Sequence, residues 1–506
     1  MRAKRAIAWI LVLAALAVSA ASCGKPNTPD GETTAAAETA AAPGTTAADA
    51  VTTAAAPETE AYPALPEADF KDEEFIILVN NRSDDYHSVE FAAENVTGDV
   101  VNDAVFKRNT LVEEQYNVDL INTPVSKEAA ALETNVLANV HAYDIALIGL
   151  TSAGSLALKN LLMDFGSIPH LYLEGPWWDQ NATADLSLAN RKYMTIGDMN
   201  INDKDMTWCM FFDKQLALDY HMPDLYALAA NKEWTFDKFR ELCENVSTDL
   251  NGDGQYDQND LYAHVTVFAR STIAYMYSMN AMSFVKDADD LPQLNTNTDK
   301  LFDAYEVVRS LFFSDNLCHD IETMPYDGYA NRWRKSEAMF GNKQILFYAE
   351  AMQNAERFRG FENDFGILPL PSGEAGSYGK HMVWKEAYVT VAPLTLSQSD
   401  ALTERAGILL EAIMRASSDT VLPAYYDTAL KTKFSRDDSS AAMIDIIFAN
   451  RYYDIGTYYN WGEMNNTWMS LGKAGTESIA SAIKIRQKTA ERALEDCIAN
   501  LTGGAK

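Results

Sequence analysis

Asp249-Leu250-Asn251-Gly252-Asp253-Gly254-Gln255-Tyr256-Asp257-Gln258-Asn259-Asp260 carries the most specific local chemistry in the chain. Oxygen-bearing side chains stand at positions 1, 3, 5, 9 and 12, and Gly254 stands at position 6. Calcium takes about six to eight oxygen ligands around a sharp turn. Asp249, Asn251, Asp253, Asp257 and Asp260 supply oxygens at that spacing, with Gln255 contributing its main-chain carbonyl at position 7. Four carboxylates in so short a loop repel one another unless a cation lies among them. The expectation is a calcium ion in a structural role, because no catalytic partner is near in sequence. The alternative is a polar Asn/Asp/Gly turn that holds no metal.

A second kind of chemistry is dispersed. Trp177-Trp178-Asp179, Gly197-Asp198, Tyr348-Ala349-Glu350, Trp384-Lys385-Glu386 and Tyr458-Tyr459-Asn460-Trp461 set aromatic or turn residues beside planar polar groups, and Trp468 lies near a helix start. Tyr275 and Tyr277 mark a further helix. Aromatic faces cover the C–H surfaces of sugars, and planar polar groups reach their hydroxyls. For any one aromatic the competing role is core packing. Trp178 and Asp198 stand out because both lie at loop edges, whereas Trp208 alternates within a strand and belongs to the core. Catalytic signatures are missing. Leu150 stands where a Gly-x-Ser-x-Gly elbow around Ser152 needs its first glycine. The seven histidines form no His-Glu-x-x-His pair, and there is neither a Walker loop nor a Gly-x-Gly-x-x-Gly. Cys209, Cys243, Cys318 and Cys497 show no Cys-x-x-Cys spacing and read as buried small hydrophobes.

The elements that must position these residues alternate between strand and helix. Phe75–Val79 is a continuous apolar run, as in a strand buried on both faces. Val101, Ala104, Val105, Leu111, Val112 and Tyr116 recur at helical spacing. Val118–Ile121 and Tyr143–Gly149 are further strands. This alternation predicts βαβ units and a mostly parallel sheet. Ligands of such sheets sit outside the carboxyl ends of the strands, which makes Thr151 and Ser152 candidate binding residues. A second α/β region opens near residue 205. It has strands at Met206–Phe212, Ile345–Tyr348, Phe365–Pro371 and Tyr388–Pro393. Ala338–Phe340 reads as the first arm of a hairpin around Gly341, a helix starts at Thr235, and a helical tail runs from Glu477 to Leu501.

The chain has 506 residues, with 41 Lys+Arg against 72 Asp+Glu and a formal charge of −31. That balance excludes the basic face a nucleic-acid binder needs and electrostatic docking on anionic lipid. A hydrophobic content of 47% supports a large core. Arg2, Lys4 and Arg5 precede an apolar stretch from Ala6 to Val18, too short to span a bilayer comfortably. Small residues Ser19–Ser22 then lead to Cys23-Gly24, which resembles the bacterial lipobox, with Ala20 where Leu is usual. The resemblance implies a signal peptide over 1–22 and a lipid on Cys23. From Thr33 to Ala56, 19 of 24 residues are Ala or Thr. Residues 23–66 therefore read as an extended tether.

Four segments in order carry a wider resemblance: Met210–Leu216, Glu233–Phe239, Ser336–Phe347 and Asp364–Pro371. Together they resemble the extracellular solute-binding proteins (family 1) of bacterial ABC sugar importers. The resemblance implies an α/β, two-lobed periplasmic-binding-protein-like fold (type II) with a ligand cleft between the lobes. It implies lobe 1 at 67–200 and 386–430, and lobe 2 at 201–385 and 431–506. It points to Tyr348, Glu350, Trp461 and Trp468 as cleft residues. The implied role is capture of a solute, a carbohydrate first of all, for an ABC permease. The protein would be a non-enzymatic monomer, lipid-anchored and facing the extracellular side or the periplasm. The alternatives are a surface glycoside hydrolase, which needs two carboxylates at a set separation, and a calcium-dependent adhesion protein. The calcium loop resembles those of dockerins in carrying Asp260 where an EF-hand carries Glu, but it occurs once where a dockerin needs it twice.

Overall fold

The computed structural model describes residues 62–81, 93–296, 298–314, 316–358, 360–426, 438–475 and 479–502. Cys23, the signal peptide, the tether as far as residue 61 and the expected helix start at Glu477 lie outside the described residues.

The first apolar run forms β1 (Glu73–Asn80). Helix Val100–Tyr116 follows. Its N-cap Asp99 accepts the N–H groups of Val101 and Asn102, and the helix stops at Asn117 in the left-handed region. β2 (Val118–Val125) and β3 (Ile145–Gly149) both run parallel to β1, one on each side. Helices provide the crossovers that parallel pairing requires. In the second region come β4 (Trp208–Asp213) and β5 (Tyr262–Thr266). β6 (Phe284–Lys286) and β7 (Pro292–Leu294) form a small hairpin. β8 (Cys318–Asp320), β9 (Ile345–Ala351), β10 (Phe365–Leu368), β11 (His381–Met382), β12 (Tyr388–Val391) and β13 (Arg451–Tyr452) complete the set.

Two main sheets result. The first has the order β12-β3-β1-β2, with β12 antiparallel to β3. The second has the order β10-β4-β9-β5-β8; its β5 runs parallel to β8 and β9, and its β4 runs antiparallel to β9 and β10. This is the two-lobed α/β architecture the resemblance implies. β11 pairs with β13 in a separate parallel ladder. The chain that leaves the first sheet lies beside the chain that returns to it as β12. Thr195 N–H donates to Thr390 O (3.1 Å), Thr390 N–H returns the bond to Thr195 O (2.9 Å), and Thr207 bridges Val383.

Two expectations need correction. Ala338–Phe340 belongs to helix Arg332–Gly341, so the segment is helix–turn–strand and not a hairpin. Helical pairing of Phe340 and Ser336 with Tyr348 buries more of that segment than an exposed arm would. Residues 62–66, assigned to the tether, are docked. The Tyr62 ring meets Trp177 edge-on at 4.9 Å, and its hydroxyl donates to Glu174 O (3.2 Å). Arg415 donates to Pro63 O (3.0 Å), and Leu65 packs against the core of the first sheet. An aromatic and a leucine give this stretch an apolar surface to bury, which the Ala/Thr run lacks. No helix among the described residues is long and apolar enough to cross a membrane.

Candidate functional site

The carboxyl end of β9 and the amino end of the antiparallel β4 meet, with Trp208 opposite Ala351 and Cys209 opposite Glu350. Helix Phe268–Ser278 starts just beyond β5 and brings Arg270. Helix Arg332–Gly341 begins at Asn331, whose Oδ1 accepts the Arg334 N–H (2.9 Å), and it contributes Trp333. Gln353, Asn354 and Arg357 follow β9, and Trp384 lies on the passage from β11 to β12. These residues enclose a cavity of about 210 Å³.

Its walls are aromatic and its polar atoms are incompletely satisfied. The Trp208 and Trp384 rings lie 6.0 Å apart at 49°. The Arg270 guanidinium sits 5.4 Å from the Trp333 ring and 5.0 Å from the Trp384 ring, within cation–π range of both. Glu350 is buried. Its Oε1 accepts the Ala351 N–H (3.1 Å), and its Oε2 has no partner. Burial pushes this carboxyl above its usual range, against the pull of the Arg270 charge. Trp208 Nε1, Trp384 Nε1 and Gln353 Oε1 also lack partners. Buried polar atoms are nearly always paired, so these groups are open to hydrogen bonds from water or a polar ligand.

Two further spaces share lining residues with this one or with each other. Trp384 also borders a space of about 90 Å³ with Thr151, Tyr277, Lys385, Asp454 and Asn465. Thr151 and Lys385 border a third space of about 270 Å³ with Asn80, Glu128, Ser152 and Glu386. Asn80 and Gly149 close β1 and β3, so this end of the cleft lies at strand carboxyl ends. Trp384-Lys385-Glu386 runs along all three spaces.

Glu350 thus lines the first of three neighbouring spaces and Thr151 and Ser152 the others, and the Thr151 hydroxyl is buried without a partner. Tyr348 lines none of them. Its hydroxyl pairs with Ser336 Oγ (2.9 Å), and its ring packs on Phe340 and Phe358. Trp461 stacks on Tyr459 at 5.3 Å, and Trp468 donates from Nε1 to Ser283 Oγ (2.6 Å) beside Tyr305. Both are core residues, because the C-terminal helices press them inward. Trp178 and Asp198 share a different space of about 350 Å³, with Lys204 and Arg451, that has no lining residue in common with the cleft. Trp178 Nε1 donates there to Glu411 Oε2 (3.1 Å). Trp208 is buried as expected and also walls the cleft. Arg270, Asn331, Trp333, Gln353, Asn354 and Arg357 were not singled out by sequence reasoning. Only the Asn331 cap, set just before a helix, gave a local signal.

In the Asp249–Asp260 loop, Gly252 and Gly254 take the left-handed conformations a sharp turn requires. The carboxylates accept main-chain N–H groups. Asp249 takes those of Gly252 (2.6 Å) and Gly254 (2.8 Å); Asp260 takes those of Leu250 (2.9 Å) and Asp257 (2.8 Å). Among the described residues no three Asp, Glu, His or Cys side chains converge closely enough to hold a metal.

No protein-family model and no curated protein matches this sequence. Solved structures match it over most of its length. The sugar-binding protein MalE from the phytopathogen Xanthomonas citri aligns at TM-score 0.57 and 14% identity, covering 84% of this chain and 98% of that one. The galacto-N-biose-/lacto-N-biose I-binding protein of an ABC transporter from Bifidobacterium longum aligns at 0.55 and 15%, covering 85% and 98%. RafE from Streptococcus pneumoniae aligns at 0.54 and 11%, covering 83% and 98%. The fold is that of the two-lobed substrate-binding proteins. In a substrate-binding fold of this kind, hinge closure around a ligand is the expected motion.

Proposed function

We propose that this protein captures a carbohydrate by closing its two lobes and delivers it to an ABC permease, without catalysing a reaction. The observation that carries this reading is the cavity walled by Trp208, Trp333 and Trp384 with the unpartnered polar atoms of Glu350, Gln353 and both buried indoles. Tryptophan faces suit the apolar faces of pyranose rings, and the unpaired donors and acceptors suit hydroxyls. Two of the similar proteins named above, MalE and the galacto-N-biose-/lacto-N-biose I-binding protein, bind sugars, which supports the same reading. Attachment through a lipid on Cys23, with the folded part outside the membrane, belongs to this proposal and rests on the lipobox-like sequence. So does a structural calcium ion in the Asp249–Asp260 loop, which rests on ligand spacing. Binding calcium there would require Asp249 and Asp260 to exchange main-chain N–H bonds for the ion.

The reading is tested by titrating the protein with mono- and oligosaccharides while following tryptophan fluorescence and melting temperature. A saturable change with a sugar that is recovered intact supports it. Conversion of the sugar to products would favour a glycoside hydrolase, and silence across the panel would overturn the carbohydrate assignment.

A further inference from the structure

The balance of charge at the principal cavity runs against that of the whole chain. The formal charge is −31, yet the charged residues lining this cavity are two arginines, Arg270 and Arg357, and one carboxylate, Glu350. Helix Arg332–Gly341 points its amino end, with Asn331 and Trp333, at the cavity. That end carries the positive pole of the helix dipole, where acidic residues are favoured and basic ones are not. Here the first turn holds Arg332, Arg334 and Lys335 and no acidic residue. Glu337 accepts from both Arg334 (2.8 Å) and Arg357 (3.0 Å). Lys335 is paired with Asp327.

Arg270 adds a further cation. It is held between Trp333 and Trp384, and among the described residues its guanidinium donates no hydrogen bond. An arginine clamped by two aromatic rings keeps its donor edge free for a planar or tetrahedral oxyanion. Two further donors point the same way. Trp208 is 1% exposed and Trp384 4% exposed, both line the cavity, and neither Nε1 has a partner. The opposing charge in the cavity wall is Glu350, also 4% exposed with one unpartnered oxygen. Burial raises the proton affinity of that carboxyl, against the pull of the Arg270 charge.

We propose that the ligand is an acidic saccharide, bearing a uronate carboxylate or a sulfate ester that Arg270 receives in the cavity walled by Trp208, Trp333 and Trp384. This inference rests on the carbohydrate reading above and sharpens it. A neutral sugar would cover the donor edge of Arg270 without offering it an anion.

The test is calorimetric titration of the purified full-length protein with three oligosaccharides of equal length, one neutral, one uronate-containing and one sulfated. The expected result is that an acidic saccharide binds at least about tenfold more tightly than the neutral one, with the two acidic arms naming the anion. Arg270→Gln should collapse that preference, and Arg270→Lys should keep part of it, because charge survives while the planar fork is lost. If Arg270→Gln fails to fold, the salt dependence of the unmodified protein serves instead. Added salt should weaken binding of the acidic ligand and leave the neutral one little changed. Equal or tighter binding of the neutral saccharide overturns the inference and leaves the carbohydrate reading standing. Failure of all three to bind overturns both.

Discussion

The Arg270 guanidinium lies 5.0 Å from the ring centroid of Trp384. One residue belongs to a helix on the second sheet; the other belongs to the passage leading back to the first. Their contact therefore joins a helix that follows β5 to the segment that returns to β12, at the wall of the candidate cleft.

Trp384→Ala should weaken ligand binding by roughly 10–100-fold, the usual effect of removing a buried aromatic anchor. It should also free Arg270 from one of its two rings. Titration calorimetry checks the first effect. Loss of the ligand-induced fluorescence change checks whether this indole is the reporter.

Asp198 gives a pH-dependent prediction. Burial pushes its carboxyl up to about 6. A raised carboxyl stabilises the fold fully below the ordinary aspartate value, and that contribution is lost as pH rises through about 6. Asp198→Asn should therefore raise stability at pH 8, on the order of 1–3 kcal/mol, and give almost no gain at pH 4. Melting curves at the two pH values decide it. An equal gain at both would show that charge is not the cause.

Where the folded part begins can be tested by truncation. A protein starting at Tyr62 should keep the full melting temperature. One starting after Pro66 should lose stability, along with the Tyr62–Trp177 contact and the Arg415–Pro63 bond. Tyr62→Ala in the longer protein should reproduce part of that loss, about 1–2 kcal/mol.

Calcium should raise the melting temperature and a chelator should reverse the shift, while Asp249→Ala should abolish the response. If Asp249 and Asp260 keep their main-chain partners instead, calcium will change nothing, and Asp249→Ala will still destabilise by freeing the Gly252 and Gly254 N–H groups.

Cys23→Ser should release the protein from the membrane fraction into the soluble one. Fractionation followed by immunoblotting reads this directly, and retention of the variant on membranes would remove Cys23 as the anchoring residue.

β9 shows what sequence could reveal about the cleft and what it could not. Tyr348 and Glu350 are two residues apart and project to one face of the strand. Alternation reveals the shared face, but not where the covering helix ends. Phe340 and Ser336 of helix Arg332–Gly341 lie over Tyr348 and seal it in the core. Beyond the helix start, at Asn331 and Trp333, Glu350 meets the cavity. Continuous apolar runs announced β1, β3 and β12, because strands buried on both faces leave that pattern. Strand ends then located Thr151 and Ser152. Arg270 and Trp333 left no such trace. Each is an ordinary helix residue until a second element is folded against it. Trp461 and Trp468 were chosen by resemblance, and their rings pack against Tyr459 and Tyr305.

The position of β12 bears on how the molecule is made. The sheet that begins at residue 73 receives its outer strand from residues 388–391, after the whole of the second sheet has been laid down. A ribosome delivers the chain from the amino end. Until residue 391 emerges, β3 has a partner on one side and an open edge on the other, and open edges invite pairing with other chains. The first half of the chain must therefore wait, incomplete, for most of the second.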